Sequence, residues 1–156
     1  MANYKSGYKR KGSDRFISYI LMGFAVTFFI IIVSLILYNV FSKSLDYSSF
    51  DRIEDYSLID EMPEDEYLVY YYTVSCYYCK EIKEEVLDFA DDNNRGIKVY
   101  FIDAENVTGT NYIAGMDGTP SLLTVINGQI VNLVGGATDI PNTFRDINNG
   151  SYLYFN

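Results

Sequence analysis

The sequence predicts an α/β domain behind one N-terminal transmembrane helix. Three observations carry this expectation. Phe16 to Phe41 holds no charged residue. Beyond residue 66, β-branched and aromatic runs alternate with a stretch of helical periodicity. Asn127-Gly128 stands between two apolar runs, the strongest short-range hairpin signal, because both turn residues need positive φ.

Composition narrows the function classes. The chain has 156 residues, 12 Lys plus Arg against 21 Asp plus Glu, two Cys and no His. A hydrophobic share of 49% suffices for a packed core. Without His there is no His-based triad, no His general base and no imidazole zinc ligand. Two Cys cannot build an all-thiolate zinc site or a disulfide-dense scaffold, so no metal and no cofactor is expected. A net charge of −9 argues against a nucleic-acid partner, since phosphate neutralisation needs clustered Lys and Arg.

The first 15 residues form a basic tail, with Lys5, Lys9, Arg10, Lys11 and Arg15 against Asp14 alone. Residues 16–41 follow as the transmembrane helix. About 21 helical residues span roughly 32 Å, matching a hydrocarbon core of ~30 Å. A cleaved signal peptide would be shorter and end in small residues, whereas Tyr38-Asn39-Val40-Phe41 offers no A-x-A site. A buried soluble helix is disfavoured, because the segment is apolar on every face and sits between polar flanks. The basic flank predicts a cytoplasmic N-terminus, a single pass through the cell membrane and an extracytoplasmic C-terminal part. Tyr19 and Tyr38 lie near the two interfaces.

Residues 42–49 read as a linker at the start of a solvated acidic spacer, and 50–156 as the folded domain. Ile53, Tyr56, Leu58, Ile59 and Met62 predict a short amphipathic helix before Pro63. Tyr67 to Val74 is apolar without alternation, the pattern of a central strand buried on both faces. Ser75 is the expected N-cap of a helix whose buried face holds Ile82, Val86, Phe89 and Ala90. Asn93, Asn94 and Gly96 end that helix. Ile97 to Ile102 is a second strand, followed by a loop or short helix over Glu105 to Asp117. Ser121–Ile126 and Gln129–Val134 are the hairpin strands. Asp139 and Pro141 open a last helix through Phe144 and Ile147.

The chemistry concentrates in Ser75-Cys76-Tyr77-Tyr78-Cys79-Lys80. A structural disulfide across so short a loop contributes only ~2 kcal/mol. Half a zinc site lacks partners, and a c-type haem site needs His where Lys80 stands. A redox pair remains. Cys76 falls at a helix N-terminus, where free N–H groups favour a thiolate, and is the candidate nucleophile. Cys79, one turn further in and shielded, is the candidate resolving thiol.

In these motifs and their order the sequence resembles the thioredoxin superfamily, over about residues 50–148. Cys76-Tyr77-Tyr78-Cys79-Lys80 matches the active-site CxxC. Gly118-Thr119-Pro120 matches a loop that in this family carries a cis-proline facing the dithiol. Asn127-Gly128 and Val134-Gly135-Gly136 match its terminal hairpin and following glycines. The resemblance implies a thioredoxin-like fold, a central mixed sheet flanked by helices. It also implies substrate binding by Thr119, Pro120, Tyr77 and Tyr78, with the Thr119 backbone pairing to an extended substrate. Departures from the family pattern bear on mechanism. The family's buried acidic residue falls at Tyr70, and its accompanying lysine near Val99, beside Lys98. Tyr70 reads as core, with a hydroxyl that could reach Cys79.

The expected function is thiol–disulfide exchange on exported proteins by a membrane-anchored, extracytoplasmic domain. The chain is similar to membrane-anchored thioredoxin-like proteins of bacteria, including bacteriocin transport accessory proteins. Its expected partners are protein thiols or disulfides, a membrane or extracytoplasmic redox partner, and the lipid bilayer through residues 16–41. A non-catalytic docking module, or an accessory subunit of an export system, is the alternative.

Overall fold

The computed structural model describes residues 13–41, 45–110 and 113–155. Most of the basic tail and residues 42–44 of the spacer lie outside them. The chain divides into two units, one holding the N-terminal helix and one beginning at Leu45.

Helix α1, Ser13–Phe41, is 29 residues long. Its stretch Phe16–Tyr38, 23 residues, is long and apolar enough to cross a bilayer, and none of it is buried against protein. At ~1.5 Å per residue that stretch spans roughly 35 Å. The Thr27 hydroxyl donates within the helix to the Gly23 and Phe24 carbonyls, so its polar group needs no outside partner.

The second unit is a four-stranded mixed sheet of order β2-β1-β3-β4. Its strands are β1 (Glu66–Tyr72), β2 (Lys98–Asp103), β3 (Ser121–Ile126) and β4 (Gln129–Gly135). β1 pairs parallel with β2 and antiparallel with β3, and β3 pairs antiparallel with β4. The unalternating run in β1 has the expected cause, since both of its faces are covered. Leu68, Tyr70 and Tyr72 join Cys79, Ile82, Val86, Phe89, Phe144 and Ile147 in one core cluster. Tyr67, Val69 and Tyr71 join Ile53, Tyr56, Ile59, Ile102, Leu123 and Val125 in the other.

The first cluster takes in α2 (Tyr77–Glu81), α3 (Lys83–Asp91) and α4 (Asp139–Asn149). The sequence predicted one helix where α2 and α3 stand. Ile82 departs from helical geometry, at φ −101° and ψ 10°, while its side chain stays in the core. The Phe89 and Phe144 rings stack at 4.2 Å and tie α3 to α4.

Irregular chain covers the second face. The amphipathic helix expected before Pro63 does not form. The backbone there is spent on the sheet edge: Phe101 N–H donates to the Asp51 carbonyl at 3.0 Å, and Ile53 N–H to the Phe101 carbonyl at 2.9 Å. A single 3-10 turn, Tyr56–Leu58, follows, capped by the Asp55 carboxylate. Tyr56 and Ile59, three residues apart, are both buried, which suits a period of three. The extended segment also covers the outer edge of β2, which would otherwise offer unpaired backbone groups.

Part of the stretch assigned to the linker is docked onto this unit. Asp46 caps a 3-10 turn, Tyr47–Ser49, through a capping box with Ser49. Tyr47 is buried, its ring 4.0 Å from that of Tyr72. One aromatic side chain thus outweighs the acidic composition around it, because burying such a ring contributes far more than solvating its neighbours.

Candidate active site

β1 delivers the chain to a tight connection, Thr73 to Ser75, and α2 begins immediately after it. Cys76 is the N-cap of α2. Its backbone N–H donates to the Thr73 hydroxyl at 3.1 Å, and its sulfur accepts the Cys79 N–H at 3.2 Å. The sulfur therefore fills the position that Ser, Thr, Asp or Asn usually takes, and one free N–H of the helix start is aimed at it. Ser75, expected as the cap, lies one residue too early, and its hydroxyl donates to the Glu105 carboxylate at 2.5 Å.

Both cysteines are free thiols in this structure. Cys76 is half-buried and Cys79 fully buried. The Cys76 thiol donates to the Thr119 carbonyl at 3.3 Å. The Thr119–Pro120 peptide bond is cis. Thr119 is half-exposed and Pro120 buried, so the Thr119 backbone edge borders the sulfur.

The two thiols titrate in opposite directions. Burial disfavours the Cys76 thiolate. Hydrogen bonding from Cys79, the Thr119 side chain and the Tyr78 backbone outweighs it and holds the pKa below the ordinary cysteine value. Burial dominates at Cys79, the Cys76 sulfur adds to it, and the pKa is pushed up to about 11. This is the asymmetry that an attacking thiol and a sheltered second thiol require.

Around Cys76 the surface is apolar. Val74, Tyr77 and Tyr78 are exposed, and the rings of Tyr77 and Tyr78 meet edge to face at 5.4 Å. Two exposed rings and a valine beside a half-buried sulfur suit an extended polypeptide better than a small polar ligand.

Behind Cys79 the docked turn closes the site. The Tyr47 hydroxyl donates to the Cys79 carbonyl at 3.2 Å. Lys83 forms an ion pair with Asp46 at 2.6 Å and stands 5.1 Å above the Tyr47 ring. Sequence reasoning missed Tyr47. The available signal was Leu45, Tyr47 and Phe50, three apolar residues at close spacing within an acidic stretch. Tyr70 is fully buried, as its reading as core requires, yet its hydroxyl makes no hydrogen bond. A buried polar group left so costs about 1–3 kcal/mol. Lys98 pairs with Asp51 at 2.5 Å and stands 5.6 Å above the Tyr100 ring. Among the described residues no cluster of His, Cys, Asp and Glu is arranged to hold a metal ion.

A protein-family model described as Thioredoxin matches residues 51–148. Solved structures of similar fold include the thioredoxin of Malassezia sympodialis, at 20% identity and a TM-score of 0.54, covering 66% of this chain and 90% of that one. The oxidised mitochondrial thioredoxin 3 of Saccharomyces cerevisiae matches at 15% identity and a TM-score of 0.55, covering 67% and 97%. A thioredoxin of Plasmodium falciparum matches at 15% identity and a TM-score of 0.53, covering 64% and 97%. No curated protein sequence matches the chain at a significant level.

Proposed function

Since the chain belongs to the thioredoxin family, we propose that it is a membrane-anchored thiol–disulfide oxidoreductase acting on exported proteins outside the cytoplasm. The observation that carries the catalytic part is the placement of the two sulfurs. Cys76 caps a helix at the surface with its thiolate favoured, and Cys79 lies beneath it with its thiolate disfavoured.

In the reducing direction the Cys76 thiolate attacks one sulfur of a partner disulfide, and the other partner sulfur leaves as a thiolate. Cys79, losing its proton, attacks the Cys76 sulfur of the mixed disulfide and releases the second partner thiolate. Two electrons pass to the partner and the Cys76–Cys79 disulfide forms. Oxidation of a partner dithiol is the reverse sequence. A membrane or extracytoplasmic redox partner resets the pair. Tyr77 and Tyr78 offer apolar contact to the substrate chain, and the Thr119 backbone beside Pro120 offers strand-like hydrogen bonds.

The anchoring part rests on α1 and on charge. The span Phe16–Tyr38 follows a basic tail, and the domain that follows is acidic. The proposed organisation is tail 1–15, membrane helix 16–41, a short linker over 42–44 and the redox domain from Leu45 onward.

Trapping tests the exchange. With Cys79→Ala nothing inside the chain can resolve a mixed disulfide, because no third Cys exists. That variant should accumulate reductant-sensitive adducts on non-reducing gels of membranes, and Cys76→Ala should not. Equal adducts from both would overturn the roles of the two thiols. No adducts from either, with a pair inert toward glutathione, would overturn the enzyme reading.

A further inference from the structure

Resolution of the mixed disulfide sets a problem that the described residues answer in an unusual way. Cys79 must ionise inside a core, and the low-dielectric surroundings oppose that. A cavity of about 270 Å³ adjoins Cys79, and the charged groups on it are Asp46, Arg52, Lys80, Lys83 and Asp103. Asp46 is committed to Lys83 and to its capping box. Asp103 accepts from the Glu105 N–H and the Asn106 amide. Arg52 and Lys80 are both exposed.

Tyr70 is different. Its ring is fully buried in the same cluster as Cys79, stacked at 6.0 Å on Tyr72 and 6.0 Å from Tyr47. Its hydroxyl is the buried side-chain polar atom that finds no hydrogen-bond partner among the described residues. The groups that act on it electrostatically are the Tyr47 hydroxyl and Cys79. The Tyr47 hydroxyl donates to the Cys79 carbonyl, and its oxygen, although still an acceptor, lies outside hydrogen-bond geometry for the Tyr70 O–H. Packing does not call for the Tyr70 hydroxyl: its register partner on β2 is Phe101, fully buried without one. An O–H donor held dry beside a thiol, idle while that thiol is neutral, is matched to the thiolate.

We propose that Tyr70 is a positioning residue for resolution, whose hydroxyl donates to the Cys79 sulfur when that sulfur becomes a thiolate. This rests on the reading of Cys79 as the resolving thiol. The Cys79 proton leaves to solvent through the adjoining cavity. The thiolate, held by the Tyr70 O–H, attacks the Cys76 sulfur, the bond from Cys76 to the partner breaks, and the partner departs as a thiolate. Tyr70 keeps its proton throughout.

The test compares the full chain in detergent with its Tyr70→Phe variant, reacting each reduced protein with a dithiobis(nitrobenzoate) reagent. Release of the first chromophore reports attack by Cys76, and release of the second reports resolution by Cys79. A hydrogen bond to a charged group is worth about one pKa unit or more, which removes about tenfold of the thiolate. The higher basicity of the remaining thiolate returns about threefold, so the second phase should slow about threefold at neutral pH. The first phase should be unchanged. Titration of the Cys79 β-carbon resonance in a 13C-labelled sample should move to higher pH in the variant. Tyr72→Phe, the neighbouring ring on the same face, should leave the ratio of the two phases as it is.

An unchanged or faster second phase in Tyr70→Phe, with the Cys79 titration unmoved, overturns the inference. A slowing of equal size in Tyr72→Phe also overturns it, because the effect would then belong to packing. If the wild type releases neither chromophore but the Cys79 titration still moves, the contact stands and the exchange activity fails. If the wild type releases both and Tyr70→Phe matches it, the activity stands and the contact fails.

Discussion

Cys76 and Cys79 are three positions apart in sequence, yet burial separates their chemistry. Cys76 lies below the ordinary value of 9.0 because hydrogen bonding overcomes its partial burial, while Cys79 is pushed up to about 11. Alkylation of the reduced protein by iodoacetamide should modify Cys76 with a midpoint below pH 9, leaving Cys79 untouched at neutral pH. Peptide mapping by mass spectrometry assigns each site. The same shifts make reduced-state stability depend on pH. A raised pKa means that the Cys79 contribution is fully present below about pH 9 and is lost as pH rises through about 11. The Cys76 contribution has the opposite sign, present above about pH 9 and lost as pH falls through its lowered pKa. The melting temperature of the reduced form should therefore fall relative to the oxidised form between about pH 9 and 11. The buried tyrosines that ionise at high pH are common to both forms and cancel in the difference.

At the scale of elements, the docked turn and the hairpin carry the sharpest expectations. Tyr47→Phe keeps the ring and loses only the hydrogen bond to the Cys79 carbonyl, a cost of about 1 kcal/mol. Tyr47→Ala also empties the space against Tyr72 and should cost about 3 kcal/mol or more, read by urea unfolding. The Asp46–Lys83 pair is exposed on both sides, so Lys83→Ala should cost under about 1 kcal/mol, much of that in lost cover over the Tyr47 ring. In the hairpin, Asn127 and Gly128 hold φ of 50° and 73°. A Cβ on Gly128 would stand 2.8 Å from the Asp60 carbonyl oxygen, so Gly128→Ala should destabilise by more than the ~1 kcal/mol of backbone strain alone.

These elements also show what local sequence can and cannot convey. The hairpin was legible because a positive-φ pair leaves few residue choices. β1 was legible because a strand covered on both faces needs no alternation. The CxxC at a helix start was legible because its chemistry depends on that position. The turn at Tyr47–Ser49 was not, because its stability comes from contacts with Tyr72 and Cys79, far along the chain. The spacing from Ile53 to Met62 predicts a helix because a period near three fits a helix and a 3-10 turn alike. Pairing with β2, a nonlocal event, decided between them. The idle hydroxyl of Tyr70 was hidden for the same reason, since only the packed core shows which donors have partners.

At the scale of the whole molecule, the distribution of charge and apolar surface bears on where the domain works. Phe16 to Tyr38 presents large apolar side chains on every side of α1, and none is covered by protein. So much exposed apolar surface is costly in water and favourable in a bilayer, so the chain should stay in the membrane fraction through alkaline carbonate washing. The proposed orientation rests on the flanks. Five cations precede the span, while Lys43 is the sole cation between the span and Arg52 on the other side. Protease added to intact spheroplasts should then remove the domain beyond residue 44. Full protection until the membrane is permeabilised would invert the proposed topology, and with it the compartment of the substrates. Changing Lys9, Arg10 and Lys11 to Gln while adding lysines near Ser42 and Ser44 should move a fraction of the domain to the protected side, because the cation bias sets the orientation. A chain that keeps its orientation under that reversal would show that something other than the flanking charge directs the domain outward.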